Sequence, residues 1–132
     1  NSIIKETKIE HPTITDMNFL YGTIFTFDPL DKKNHSRNVC VFANGEVDRS
    51  PTGTGVSARA AVHYKRGEIK LNETLTIESI LGSTFKVSVL RETNLGSLNA
   101  IIPEVEGTAN ILGKNIFWID PDDVIGQGFM LR

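Results

Sequence analysis

The sequence predicts an α+β chain in which many strands wrap around one buried helix. Short β-branched runs with period-two alternation recur along its length. A single segment, residues 52–66, carries both helix start and helix stop signals. That segment also has small residues on several faces (Ser57, Ala58, Ala60, Ala61), which suits a helix covered on all sides.

Taken in order, residues 19–27 read as a strand closed by Asp28-Pro29, and residues 31–37 as an exposed polar loop. Residues 38–43 form a short apolar strand ended by Asn44-Gly45, a strong turn signal. The helix opens after Ser50 as cap, with Pro51 at its first position, where a missing N–H costs nothing. Lys65 and Arg66 suit its C-terminal dipole, and Gly67 ends it. Residues 75–81 and 84–90 are two strands joined at Gly82-Ser83, with Phe85, Val87 and Val89 on one face. Residues 99–106 and 107–119 read as further extended segments, with turns near Pro103 and Gly113-Lys114.

Composition narrows the function classes. At 132 residues the chain makes one domain at most. Fourteen basic and sixteen acidic residues leave a net charge of -2 and a pI near 5.9, without the basic footprint of a nucleic-acid binder. No apolar run approaches the roughly 20 residues of a membrane span. A lone cysteine, Cys40, excludes an intrachain disulfide and any CxxC motif. The expectation is a cytoplasmic domain without metal or cofactor. Because the chain begins at Asn1 in mid-pattern, it is read as a piece of something longer.

The segment with chemical purpose is Asp48-Arg49-Ser50-Pro51-Thr52-Gly53-Thr54-Gly55. With a helix starting at Pro51, the Thr52, Gly53 and Thr54 N–H groups lack intrahelical partners and, with the dipole, attract an anion. Glycines 53 and 55 allow close approach. Asp48 stands ready for a cationic group, so the pair suits a zwitterion such as an amino acid. The same residues are equally compatible with a plain helix cap. Residues 53–58 also match GxGxxA, but residues 45–51 separate them from the preceding strand and the alternating βαβ halves are missing. A P-loop fails for want of Gly-Lys-Ser/Thr.

This segment, continued through Val56-Ser57-Ala58, resembles the second active-site motif of the proline racemase family. His11-Pro12, Phe19-Leu20-Tyr21-Gly22, Gly107-Thr108-Ala109 and Phe117-Trp118-Ile119-Asp120-Pro121 before Gly128-Phe129 resemble it too. The resemblance covers essentially the whole chain and only the C-terminal part of the family's length. It implies a lobe like that of diaminopimelate epimerase, a barrel-like, mostly antiparallel sheet around a central helix, facing a second, N-terminal lobe. Racemases of the family have a cysteine where this sequence has Thr52, paired with another in the N-terminal lobe. A thiol near pKa 8.5, lowered at a helix N-terminus, can act as a base; a threonine hydroxyl offers nothing comparable.

Cysteine with threonine resembles the trans-3-hydroxy-L-proline dehydratase branch. The resemblance then implies that Asp48 meets the substrate's ring nitrogen, that the Gly53 and Thr54 amides hold its carboxylate, and that Thr52 faces it. The thiolate base lies in the absent lobe, so the isolated chain is expected to be inactive. The alternatives are a racemase or epimerase with unusual chemistry at Thr52, and a non-catalytic binding module.

Cys40 reads as a buried structural thiol. His11, His35 and His63 lack ligand spacing, and His63 lies away from the helix N-terminus. Residues 120–123 read as a turn, lacking the glycine and glutamate of a calcium loop. Phe117 and Trp118 read as core or interlobe packing. The tail, residues 117–132, is expected to cross to the absent lobe; left uncovered, it would promote association into a homodimer.

Overall fold

Five strands form one sheet in the order of the chain: β1 (Gly22–Phe27), β2 (Ser36–Phe42), β3 (Thr74–Glu78), β4 (Thr84–Leu95) and β5 (Leu98–Glu106). These come from a computed structural model that describes residues 2–129. Two helices accompany the sheet, a short α1 (Ser2–Glu6) and the long α2 (Gly53–Lys65), with one 3-10 turn at Thr15–Met17. β1 pairs antiparallel with β2, β3 with β4, and β4 with β5. β2 and β3 are parallel, paired at Ser36↔Ile77 and Arg37↔Glu78, and the crossover between them contains α2.

The core forms where α2 lies on this sheet. Val56 and Ala60, four residues apart on one helix face, meet Ile69, Leu75, Ile77, Val87 and Val89, with Tyr64, Phe85 and Ile101 packed at the margin. Val56, Ala60, Ile77 and Val89 are wholly buried. A carboxylate fixes the β1–β2 loop. Glu78 accepts from the Leu30 and Asp31 N–H groups and the Asn34 amide at 2.8, 2.9 and 2.8 Å.

Several expectations are corrected. The sheet is open, with β1 and β5 at its edges, and it covers only one side of α2. Thr54, Ala58 and Val62, a stripe at four-residue spacing, are exposed on the other side. Residues 107–119 join no strand, and Ile111, Leu112 and Trp118 are more than nine-tenths exposed. Phe117 and Trp118 are therefore not core. Pro103 makes no turn. It sits in edge strand β5 opposite Val89, next to a bulge between Val89 and Arg91, where an absent N–H is tolerated. The strand expected to stop at residue 90 runs on through that bulge to Leu95 and turns at Gly96-Ser97. The turn at residues 120–123 is present, with the Asp122 N–H on Asp120 Oδ1 at 2.9 Å. Residues 130–132 of the tail lie outside the described residues.

Candidate functional site at the start of the long helix

The turn at Asn44-Gly45 sends the chain back alongside β2. The Gly45 N–H donates to Phe42 O at 2.9 Å, with Gly45 at φ 93°, and Val47 bridges Val41. The Asp48 N–H then donates to Cys40 O at 2.9 Å, which pins Asp48 against the end of β2.

From there the segment is organised around the Asp48 carboxylate. Oδ1 accepts from the Ser50 N–H at 2.8 Å, and Oδ2 accepts from the Thr52 hydroxyl at 2.8 Å. The Thr52 N–H donates to Ser50 Oγ at 3.0 Å. Burial alone would push the Asp48 carboxyl up. The hydrogen bonds from Ser50 and Thr52 and the charge of Arg49 outweigh that and hold it below its ordinary 3.8, so Asp48 is a carboxylate at neutral pH.

The helix begins later than its sequence signals indicate. Its first residue is Gly53 and its N-cap is Thr52, not Ser50, because the first helical bond runs from the Val56 N–H to Thr52 O at 2.8 Å. The Thr52 N–H is consequently spent on Ser50 and is not an anion donor. Among the described residues none accepts from the N–H groups of Gly53, Thr54 or Gly55. The Gly53 and Thr54 N–H groups are thus left without a partner among the described residues, while the two glycines differ. A side chain at Gly53 would meet nothing within 4 Å, whereas one at Gly55 would run into Ile24 Cδ1 at 2.7 Å. Gly53 leaves the backbone open to a ligand; Gly55 lets β1 pack on the helix.

Thr52 itself adopts φ 66° and ψ 102° and is 4% exposed. A β-branched residue pays in conformational strain for a positive φ, about 1–3 kcal/mol, and holds it only where its surroundings insist. The neighbouring Cys40 is buried, as expected. Burial pushes its thiol up, and the Asp48 charge adds to this against an opposing hydrogen bond with Thr52. It lies under the motif, a proximity with no sequence signal.

Sequence reasoning missed a second polar group under the helix. Ser36, Asn38 and Cys40 alternate along β2 and are all buried on the side facing α2. Arg59 reaches two of them, donating to Asn38 Oδ1 at 3.0 Å and Ser36 Oγ at 2.7 Å. Asn38 in turn donates to Pro51 O at 3.0 Å. The available signal was the period-two spacing of Ser36 and Asn38, which the sequence reading divides between an exposed loop and an apolar strand. An arginine among small helix residues was another.

His35 and His63 meet edge to face at the other end of α2, ring centroids 4.9 Å apart, and His63 pairs with Glu68. Among the described residues no group of three potential ligands could hold a metal. His11 Nδ1 accepts from the Thr13 and Ile14 N–H groups in a turn. Two open hollows of about 290 and 270 Å3 lie elsewhere, and neither is lined by Asp48 or Thr52. No helix among the described residues is long and apolar enough to cross a membrane.

The pattern of the family described as proline racemase matches residues 1–130. The chain belongs to that family. It is 49% identical over 131 residues to a protein of Colwellia psychrerythraea named trans-3-hydroxy-L-proline dehydratase, covering 99% of this chain and 37% of that protein. It is 48% identical over 124 residues to one of Burkholderia multivorans named 3-hydroxyproline 2-epimerase, covering 94% of this chain and 37% of that one. Among solved structures, a hydroxyproline epimerase from Agrobacterium vitis with bound trans-4-hydroxy-L-proline superposes with a TM-score of 0.78 at 31% identity. That match covers 98% of this chain and 37% of the other. The chain thus spans a little over a third of the length of the relatives it matches.

Proposed function

We propose that the full-length protein is a hydro-lyase that dehydrates trans-3-hydroxy-L-proline, and that this chain is the substrate-holding part of its second lobe. The observation that carries this reading is Thr52, buried at the helix N-cap and hydrogen-bonded to an ionised Asp48. A racemase of the family needs a thiol there to deliver a proton to the opposite face of Cα. The hydroxyl at this position cannot serve as that second acid or base.

The Gly53 and Thr54 N–H groups, unpaired at the start of α2, hold the substrate carboxylate, and Asp48 holds the ring ammonium. A cysteine thiolate in the other lobe removes the α-proton. The charge that moves onto the carboxylate is met by the helix-end amides. The C–H electron pair then forms the double bond to C3 as the 3-hydroxyl departs; the proton that completes it as water balances the one taken from Cα, so the thiolate is restored. The product is a pyrroline-2-carboxylate, and no cofactor takes part.

The uncovered parts of this chain agree with a missing lobe. The stripe of Thr54, Ala58 and Val62, the half-exposed Phe25 and Phe27 of β1, and the apolar residues from Ile111 to Phe129 are the surfaces it would cover. With them covered, the open sheet becomes the barrel-like wrapping of a diaminopimelate epimerase-like lobe. Exposed in the isolated chain, they would drive self-association.

A second reading, an epimerase, is favoured by the Burkholderia multivorans relative at nearly equal identity. Proton NMR separates the two. The natural full-length product is incubated in heavy water with trans-3-hydroxy-L-proline and, separately, with L-proline. Conversion of the hydroxyproline to pyrroline-2-carboxylate, with no deuterated C2 epimer of it and no deuterated D-proline, establishes the one-base dehydratase; a deuterated C2 epimer of the hydroxyproline establishes the epimerase instead. Deuterium entering proline with inversion means that Thr52 does not block two-face exchange, and the dehydratase reading falls.

A further inference from the structure

We propose that Asn38 is a positioning residue for the site. Its amide ties the Pro51 carbonyl to the Arg59 guanidinium and so holds Thr52 in its left-handed backbone conformation at the helix entry. Its consequence for catalysis rests on the dehydratase reading above; its consequence for geometry does not.

Asn38 is wholly buried, as is Pro51. Its Nδ2 donates to Pro51 O at 3.0 Å while its Oδ1 accepts from Arg59 Nη1 at 3.0 Å, and Arg59 Nη2 is held by Ser36 Oγ at 2.7 Å. Only a group that is donor at one end and acceptor at the other satisfies both neighbours, so the amide orientation is fixed by its partners. Arg59 forms no ion pair with a carboxylate among the described residues. Its charge bears instead on the Asn38 carbonyl oxygen, which polarises the amide and strengthens the bond that Nδ2 gives to Pro51.

The peptide so gripped is the one that leads into Thr52. Three bonds hold that residue at φ 66°: Pro51 O to Asn38, the Thr52 N–H to Ser50, and the Thr52 hydroxyl to Asp48. The last two lie inside the motif. Asn38 ties the Pro51 peptide to β2, as the Asp48 N–H on Cys40 O ties the start of the motif, and Arg59, in the second turn of α2, couples the helix body to its own entry. Releasing the Pro51 peptide lets Thr52 relax to negative φ, which would swing the Gly53 and Thr54 N–H groups off the carboxylate.

The test uses the full-length protein. Asn38→Asp preserves shape and still accepts from Arg59, but it cannot donate to Pro51 O at neutral pH. The expected result is a folded protein whose kcat/KM on trans-3-hydroxy-L-proline falls at least tenfold and whose crystal structure shows Thr52 out of the left-handed region. In a Thr52→Gly background a positive φ needs no restraint, so adding Asn38→Asp should change kcat/KM less than twofold. A structural role alone would give the same loss in both backgrounds, and that result overturns the proposal, as does an unchanged rate in the first. Should Asn38→Asp not fold, Arg59→Lys, which keeps the charge and loses the two-pronged grip, carries the same pair of comparisons. If the wild-type protein leaves trans-3-hydroxy-L-proline untouched, the dehydratase reading is what fails. Positioning is then decided by the crystal structure of the variant, where Thr52 still at positive φ overturns it and Thr52 relaxed supports it.

Discussion

The two ends of α2 both need a residue in the left-handed region, and they meet that need in opposite ways. Past the C-terminus it is Gly67, at φ 72°, with open space where a side chain would be. This is the inexpensive solution, since glycine adopts that conformation without strain. At the N-terminus it is Thr52, β-branched, buried, and restrained by Asn38, Ser50 and Asp48. A glycine would do for chain reversal alone. Strain kept in place by surrounding bonds, at a helix end whose first N–H groups have no partner among the described residues, is what singles out this end as the one proposed to hold a ligand.

The comparison breaks most readily at Asp48. Asp48→Asn removes the charge proposed to meet the substrate ammonium and weakens the bond from Thr52. The expected loss in kcat/KM of the full-length protein is about 100-fold, the scale of a hydrogen bond to a charged group. Steady-state kinetics that match wild type would remove Asp48 from the site. Thr52→Ala is expected to cost less, about tenfold, because the backbone amides stay while the hydroxyl and its bond to Asp48 are lost. An unchanged dehydration rate would reduce Thr52 to a space-filling residue and leave only its backbone in the mechanism.

Much of this contrast was legible in the sequence because it depends on local chemistry. Asn44-Gly45 turns, residues 48–55 open a helix, and Gly67 closes it, each for reasons confined to a few neighbouring residues. The start of the helix was misplaced by two residues because Ser50 and Pro51 carry ordinary cap signals. The Ser50 hydroxyl is instead taken by the Thr52 N–H. Asn38 and Arg59 escaped notice because they act across 13 and 21 residues of chain, and their importance arises only when β2 lies beneath α2. The segment at 107–119 has strand-like composition but pairs with neither edge of the sheet, and pairing, unlike propensity, is a property of the whole fold.

The two ends should also titrate in separate windows. At the C-terminal end, burial and the nearby charges of His63 and Arg59 lower His35 below its ordinary 6.5, against a smaller opposing effect of Glu68. The folded state then binds that proton less readily than the unfolded one, so stability falls as pH drops below about 6.5 and stops falling beneath the folded pKa. Asp48 is lowered from 3.8, so the stability it contributes is present above that value and is lost as pH falls through its folded pKa. Denaturant melts across pH 3 to 7.5 should show both declines. Asn at 35, by His35→Asn, should flatten only the upper one, and Asp48→Asn only the lower. A single decline abolished by neither substitution would mean that neither end governs the acid response.

The smallest effect sharpens the contrast. Gly67→Ala places a Cβ on a left-handed residue with no steric neighbour, so its cost is conformational and should be about 1 kcal/mol. Chemical denaturation would register that loss, while kcat and KM stay at their wild-type values, because none of the residues proposed to hold the substrate lies at that end. The matching experiment at the other end is Thr52→Gly, which relieves strain and yet is expected to lower turnover by removing the hydroxyl bonded to Asp48. Opposite outcomes, stability lost without activity at one end and activity lost with strain relieved at the other, are what separate a helix stop from a binding site. If Gly67→Ala proved as damaging to turnover as Thr52→Gly, both ends of α2 would have to belong to the catalytic apparatus.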